Sequence, residues 1–411
     1  MNQFFKIVAK YKYLIIILFS FFIIELSWII ISPVNPLYST PDSQVRFRNI
    51  QNYAKGTHAP VVGEASPLFY FIDGNIDKLV LNTRIYSQFR LLEIIAVLFS
   101  FITLIFTYKI FKLLFDNEES IAITGTILVA LFPMFTYMGM AIDMDALIFA
   151  MYTAFIYYSL KLLKNKFNLR DFILLTLFLI LGLLSKQNMY VNIPIYIGLS
   201  IYLLYKNGLL KKYLKYLILG FILILGALFI FHSGLNSTVL PRIEGFIKSN
   251  NNYNLLDYTY YNLSSYTTNN GIIFLSFFGI YGYVVQELQP VIIFSLIQLI
   301  IYIIFVGLVI NIFNKIKNKQ LNRIHIYIII QIILTFLFLY LLDYSSVKNY
   351  AGFFTEGRYF FPIISLIILG FIIGLRTFIS KKYYNQLYLF MVILMMFFSI
   401  ISLRFLFLSR L

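Results

Sequence analysis

The sequence predicts an all-α protein: a polytopic bundle of about eleven transmembrane helices, with a large helical loop after the first helix. Of its 411 residues, 60% are hydrophobic and only 12% are charged, and the mean hydropathy is +0.83. A water-soluble domain of this size needs a more polar surface. Apolar runs of about 18 residues or more, each able to cross a hydrocarbon core of about 30 Å, recur along the whole length. Residues 1–411 are therefore expected to form a single transmembrane domain.

The first apolar run follows three lysines, but it is long for a secretory signal and no small-residue cleavage site follows it, so we expect it to be retained as a span. Residues 271–284 are either a further span or an interfacial helix. The predicted spans cover residues 13–32, 91–111, 121–138, 145–163, 172–184, 189–205, 216–231, 290–313, 326–342, 360–375 and 387–408.

The distribution of charge predicts the orientation. With the N-terminus in the cytoplasm, the cytoplasmic segments hold 20 of the 33 basic residues and only 4 of the 17 acidic ones. This excess follows the positive-inside rule and accounts for the whole net charge of +16. The basic character therefore needs no nucleic acid partner. The chain has no cysteine, which excludes disulfides and thiol chemistry.

The two longest polar segments fall on the extracytoplasmic side in this topology. The first is the loop at residues 33–90, and the second covers residues 233–289. In the first loop, Thr40 and Pro41 form a typical helix start, with threonine as the cap and proline at the first helical position.

Ionisable side chains concentrate at the extracytoplasmic ends of the spans, where each costs about 2.5–3.5 kcal/mol at membrane depth. A carboxylate there can accept a proton from an attacking hydroxyl, and cations can bind a phosphate and stabilise its leaving charge. The alternative is that they are simple ion pairs or side chains that reach the headgroups. The residues are Asp42, Arg46, Arg48, Arg84, Arg90, Glu93, Asp143, Asp145, Lys186, Asp343, Glu356 and Arg358.

Several of these residues lie in motifs that resemble a known family. Residues 40–47 (TPDSQVRF) are similar to a Pro-Asp-Glu-x-x-His-Phe motif in the first outer loop of a family of bacterial and archaeal membrane proteins. Residues 356–362 (EGRYFFP) are similar to its late Gln-Gly-Arg-Tyr-x-x-Pro motif. Between them, the matching segments occur in the expected order: GEASPLFY at 63–70, RLL at 90–92, FPM at 132–134, AIDMDAL at 141–147 and LSKQ at 184–187.

That family belongs with the GT-C glycosyltransferases, alongside the protein O-mannosyltransferases and aminoarabinose transferases. The resemblance implies transfer of a sugar from a polyprenyl-phosphate-linked donor on the outer face of the membrane. It implies that Asp42 is the general base or part of a metal site and that Arg90 contacts the lipid phosphate, with Arg358 and Lys186 helping to hold it.

The remaining candidates line the cavity and the acceptor site. Asp145 would orient the acceptor or bind a divalent cation such as Mg or Mn. Asp143, Arg46 and Glu356 complete this group. The chain departs from the family motif at Ser43, where Glu is usual, and at Arg46, where His is usual. Because both are candidate metal ligands in the family, the sequence leaves the metal undetermined.

The sequence favours an inverting mechanism in which Asp42 deprotonates an acceptor hydroxyl while Arg90 and Arg358 stabilise the leaving phosphate. The acceptor can be a glycan, a lipid or a protein. A lipid-linked sugar flippase is the main alternative, but its expected repeated halves and broken helices are not found. A surface polysaccharide polymerase or ligase would share the site and the donor. A structural scaffold would not need these charges together.

Overall fold

The structure is a computed structural model. It describes residues 3–31, 43–57, 66–115, 118–208, 291–350 and 357–408, together with residues 218–220, 222, 223 and 226. In these residues the regular elements are thirteen α-helices and three short 3₁₀ helices.

The first seven helices are α1 (Gln3–Ile31), α2 (Ser43–Ala54), α3 (Pro67–Val80), α4 (Ile85–Leu114), α5 (Glu119–Ala130), α6 (Pro133–Gly139) and α7 (Met144–Lys164). The others are α8 (Leu169–Leu183), α9 (Asn192–Lys206), α10 (Val291–Lys317), α11 (Arg323–Tyr350), α12 (Ile364–Arg376) and α13 (Tyr384–Leu408). The 3₁₀ helices are Gln187–Val191, Gly357–Ile363 and Lys381–Tyr383.

Seven helical segments of the described chain are long and apolar enough to cross a membrane, and the bent pair α5–α6 would make an eighth. These features are those of a polytopic helical membrane protein, but the predicted count of eleven is not confirmed. Helices α8 and α9 have 15 residues each, which gives a length of about 22 Å, less than the hydrocarbon core. The predicted span at residues 216–231 lies mostly outside the described residues.

Helices α4 and α7 form the centre of the bundle. Along the α7 span 83% of the residues are buried, against 11% along α10. Phe149, Tyr152 and Phe155 of α7 are fully enclosed. The peripheral helices α1, α10, α11 and α13 instead expose many apolar side chains, as helices in contact with lipid do.

The antiparallel helices α7 and α8 are joined by an ion pair at each end. At one end Lys161 Nζ lies 2.7 Å from Asp171 Oδ1. At the other end Lys186, just after α8, pairs with Asp145 in the first turn of α7. The number of residues between the two pairs is nearly the same along both helices. A single alignment of α7 against α8 therefore allows both ion pairs to form.

Helix α11 is attached to the centre by polar contacts. Gln331 donates to the hydroxyl of Tyr152 on α7 and to the side-chain oxygen of Asn192 on α9, each at 2.8 Å. The Tyr152 hydroxyl also lies 2.9 Å from the Thr335 hydroxyl. Buried polar groups of this kind must find partners inside the protein, because lipid offers none.

Two glycines allow α10 and α12 to touch backbone to backbone. A Cβ atom on Gly307 would lie 2.2 Å from the Gly374 carbonyl oxygen, and one on Gly374 would lie 2.3 Å from the Ile304 carbonyl oxygen. Only glycine permits this approach, and small residues commonly serve this purpose in membranes.

The described parts of the first loop form helices, as the sequence predicted. Helix α2 lies where the Thr40–Pro41 start was expected, although residues 40 and 41 themselves lie outside the described chain. Helices α2 and α3 pack together so closely that a Cβ atom on Gly74 would lie 2.3 Å from the ring of Tyr53. The second long loop, residues 233–289, lies outside the described residues.

The helix ends that the sequence assigns to the cytoplasm meet at one end of the bundle. Lys164 at the end of α7 donates to the Leu113 carbonyl near the end of α4. Arg376 at the end of α12 lies 3.0 Å from Glu118, just before α5. The grouping agrees with the predicted topology, while the side of the membrane on which it lies stays a prediction.

Candidate functional site

The centre of the candidate site is the turn between α6 and α7. Helix α6 ends at Gly139, and α7 begins at Met144 after Asp143, whose carboxylate accepts from the backbone N–H of Asp145 at 3.2 Å. An aspartate at this position is a typical N-cap. The positive end of the helix dipole also stabilises both carboxylates. Local sequence therefore fixes Asp143 and Asp145 side by side at the start of a buried helix.

Three basic side chains from distant parts of the chain surround these two carboxylates. Arg46 of α2 places Nε 3.3 Å from Asp143 Oδ2. Arg358 lies 3.6 Å from the same oxygen and 3.7 Å from Asp145 Oδ2. Lys186 pairs with Asp145 Oδ1. The structure thus brings five of the eight predicted site residues into one group, which we call the charge cluster: Arg46, Asp143, Asp145, Lys186 and Arg358.

An aromatic ring completes the charge cluster. The Nζ atom of Lys186 lies 4.6 Å from the centre of the Tyr359 ring, and the Arg358 guanidinium carbon lies 5.7 Å from it. Both distances are within the range of cation–π attraction. The ring therefore fixes the two cations beside each other. Tyr359 lies within the motif at residues 356–362, but no role was predicted for it from the sequence.

The charge cluster is buried, and its described members are three basic residues and two acidic ones. Each of the five residues is at most 5% exposed, and three cations face two carboxylates. Burial alone would raise the pKa of Asp143, but Arg46, Arg358 and Lys186 outweigh it and hold the pKa below its usual range. Among the described side chains, the cluster combines three basic groups with two carboxyl groups. Such a site can attract a further anion.

Two carboxylate oxygens of the charge cluster contact their cations at more than the distance of a short hydrogen bond. Oδ2 of Asp143 and Oδ2 of Asp145 are buried, yet neither accepts an aligned hydrogen bond from the described residues. Both oxygens are held instead by the ion pairs at 3.3–3.7 Å. An incoming phosphate would compete with these two oxygens for the same cations.

Helix α3 supports the turn that carries Lys186. The Leu68 backbone N–H donates to the Leu184 carbonyl at 3.0 Å, and the Ser66 hydroxyl donates to the Ser185 carbonyl. Two of the motifs quoted from the sequence, residues 63–70 and 184–187, are therefore bonded directly to each other. The first loop acts as a support for the site as well as a cover.

Arg90 lies at the same end of the bundle but has a different partner. Its guanidinium is bonded to Glu93 on the next turn of α4 at 2.8 Å. The rings of Phe47 and Phe89, neighbours of Arg46 and Arg90 in sequence, pack edge to face with their centres 5.6 Å apart. The role of Arg90 at the donor phosphate stays a prediction.

Two predicted site residues, Asp42 and Glu356, lie outside the described residues. In the part of the chain that is described, no group of three or more His, Asp or Glu side chains is arranged to hold a metal ion. The charge cluster pairs its two carboxylates with cations, a composition that suits anions better than divalent metals.

Three buried carboxylic acids were not predicted from the sequence. Glu25 lies inside α1 and is fully enclosed against α4 and α6. It escaped notice because the run around it is otherwise apolar. Asp73 and Asp77 lie four residues apart on one face of α3, which is a recognisable helical spacing. Burial, together with Asp77, raises the pKa of Asp73 to about 8.

Comparison with known proteins adds a family to this geometry. Residues 81–231 match the family model described as dolichyl-phosphate-mannose-protein mannosyltransferase. The matched segment includes Arg90, Asp143, Asp145 and Lys186 but covers less than half of the chain. None of the curated proteins compared with the chain matches it. The family match supports a membrane glycosyltransferase of the GT-C type.

Proposed function

We propose that the protein transfers a sugar from a polyprenyl-phosphate-linked donor to an acceptor hydroxyl on the extracytoplasmic face, with inversion at the anomeric carbon. The charge cluster carries this proposal, because it groups three buried basic side chains with two carboxylates at one end of the bundle. A lipid-linked phosphate needs such a binding site, and the family match supports a sugar transferase.

In this mechanism the cations act on the leaving phosphate. As the bond between the anomeric carbon and the phosphate oxygen breaks, its electron pair stays on the phosphate, whose negative charge increases. Arg358 and Lys186 are positioned beside each other by Tyr359 and stabilise this charge. Arg90 would assist from α4. Asp143 and Asp145 hold the cations in place before the donor binds and face the acceptor afterwards.

Asp42 is the proposed general base. It would take the proton of the acceptor hydroxyl as that oxygen bonds to the anomeric carbon. This role rests on the first-loop motif, and it is supported by the neighbouring sequence. Asp42 directly precedes α2, and Arg46 in the first turn of that helix contacts Asp143.

The test uses purified full-length protein with radiolabelled polyprenyl-phosphate sugars and a membrane fraction as the acceptor. Release of polyprenyl phosphate measures transfer. We expect Asp42→Asn to abolish release while the protein still inserts and folds. We expect Arg46→Gln to reduce release strongly, and Arg48→Gln, which removes an exposed arginine from the same helix, to leave it unchanged. Full activity of Asp42→Asn would overturn the role of this residue.

A second measurement addresses the class of function. The protein is placed in liposomes with labelled donor in one leaflet. We expect no movement of intact donor beyond that of protein-free liposomes. Movement of intact donor without release of polyprenyl phosphate would overturn the transferase proposal in favour of a flippase.

A further inference from the structure

A cavity of about 430 Å³ opens at the end of the bundle opposite the charge cluster. It lies between the final turns of α4, α7, α10 and α12 and the first turns of α11 and α13. The side chains that matter here are Lys164, Lys315, His325 and Arg376. The described lining contains no carboxylate, whereas these four side chains are basic.

The cavity is too far from the charge cluster to belong to the same site. Asp145 lies in the first turn of α7 and Lys164 is its last residue. At 1.5 Å per residue these positions are separated by about 28 Å along the helix. That distance is close to the thickness of the hydrocarbon core. The two sites therefore lie at opposite surfaces of the membrane.

Lys315 is the least balanced charge in this cavity. No described carboxylate lies within ion-pair distance of it. Its closest polar partner is Nε2 of His325, at 2.6 Å. Nδ1 of the same ring lies 3.3 Å from the backbone N–H of Asn322. Both ring nitrogens thus face donors, although a neutral imidazole can accept at only one of them. When Nδ1 accepts from the Asn322 N–H, the hydrogen on Nε2 faces the Lys315 ammonium, and an anion in the cavity would relieve this conflict by accepting from both groups.

Arg376 is held rigidly at the edge of the same cavity. Its guanidinium lies 4.0 Å from the centre of the Tyr384 ring and donates to both oxygens of Glu118 at 3.0 and 3.1 Å. Glu118 thus compensates Arg376 from outside the cavity lining. The side-chain oxygen of Asn322 caps α11 by accepting from the N–H groups of Ile324 and His325. The positive charge of the cavity therefore comes from the side chains rather than from this helix end.

We propose that this cavity binds a phosphate-bearing anion, with Lys315, His325 and Lys164 as the main contacts. Its volume suits a small polar headgroup. Basic pockets between transmembrane helices on the cytoplasmic side are suited to phosphate headgroups. In the topology predicted from the sequence, this end of the bundle faces the cytoplasm. The phosphate can come from an anionic phospholipid or from a soluble phosphate compound, since both present the same group.

The experiment measures binding to the delipidated full-length protein by thermal shift and native mass spectrometry. The probes are phosphatidylglycerol, glycerol 3-phosphate and inorganic phosphate, with phosphatidylcholine as the zwitterionic reference. The test variant is Lys315→Gln. The control is Lys317→Gln, which removes the same charge from an exposed position two residues later. Lys315→Arg keeps the charge and serves as the conservative variant.

We expect at least one phosphate probe to bind more tightly than phosphatidylcholine. Lys315→Gln should weaken this binding about fivefold, the effect of one basic residue near a membrane surface. Lys317→Gln should leave it unchanged, and Lys315→Arg should retain most of it. Binding of phosphatidylglycerol alone identifies a lipid headgroup, and binding of a soluble probe identifies a free phosphate ligand. The proposal fails if no phosphate probe exceeds phosphatidylcholine, or if the two glutamine variants lose binding equally. Sugar transfer is not measured, so the outcome is independent of the proposed function.

Discussion

The backbone N–H of Leu68 donates to the carbonyl of Leu184 at 3.0 Å, and this bond joins the first loop to the turn that carries Lys186. The neighbouring Ser66 hydroxyl reinforces it by donating to the Ser185 carbonyl. The first loop is therefore part of the framework that positions a cation of the charge cluster.

Replacing Ser66 by alanine tests this support. The substitution leaves the buried Ser185 carbonyl without its side-chain donor, which should cost about 1–3 kcal/mol. We expect a lower melting temperature and, because Lys186 is next in the chain, a reduced rate of transfer. Thr83→Ala removes an exposed hydroxyl bond to Val80 in the same loop and should change neither value. Equal effects of the two substitutions would contradict a specific supporting role for Ser66.

The buried pair of Asp145 and Lys186 gives a second prediction. Asp145→Leu or Lys186→Leu alone removes one partner of a buried ion pair, and each should destabilise the protein by about 3–5 kcal/mol. The double substitution removes both charges and should regain most of the lost stability without regaining transfer. Thermal unfolding and release of polyprenyl phosphate separate the two effects. A double variant that is active would show that the pair is only structural.

The contact between α10 and α12 gives a third prediction. A methyl group at Gly374 would lie 2.3 Å from the Ile304 carbonyl oxygen, which belongs to the backbone and cannot rotate away. Gly374→Ala should force the helices apart at a cost of about 1–3 kcal/mol. Gly198→Ala on α9 is the matched control, because no atom lies within 4 Å of the added methyl group. Equal melting temperatures for both variants would contradict the close contact.

The fourth prediction concerns pH. Asp73 lies on α3, outside the candidate spans, and burial together with Asp77 raises its pKa to about 8. The folded protein therefore holds a proton that the unfolded chain releases near pH 4. Its contribution to stability is complete below about pH 4 and is lost as the pH rises toward about 8, at up to about 1.4 kcal/mol per unit.

Asp73→Asn should remove this part of the pH dependence, as measured by melting temperatures across that range. Lys78→Gln, a charge change at an exposed position on the same helix, should leave the slope as it is. A slope in Asp73→Asn equal to that of the unchanged protein would show that another group is responsible.

The sequence predicted most of the fold and the members of the charge cluster for one reason. Charges are costly at membrane depth, so the few that remain at helix ends, such as Asp145, Lys186 and Arg358, stand out against an apolar background. The contrast between apolar runs and the charged residues that bound them also locates the long spans. It does not separate a full span from a short buried helix, so α8 was expected to be a span although it has only 15 residues.

The sequence could not predict which charged residues pair with one another, because the pairing depends on tertiary packing. Arg46 and Arg358 share Asp143 only because α2 and the 3₁₀ helix before α12 meet at the start of α7. Arg90 is an exception. Its bond to Glu93 follows from a three-residue spacing on one helix and was readable in the sequence.

The ion pairs at both ends of α7 and α8 would limit how the proposed lipid-linked donor reaches the interior. Sliding or tilting one helix against the other would break a buried charge contact, so we expect the two to move as one rigid body. Any widening of the route into the interior must then come from movement of the parts that contact α7 and α8 less tightly. These are α2 and the short helix that bears Arg358, whose arginines contact the start of α7 at 3.3–3.7 Å. Cross-linking either of them to α7 would trap the protein in a form closed to large lipids.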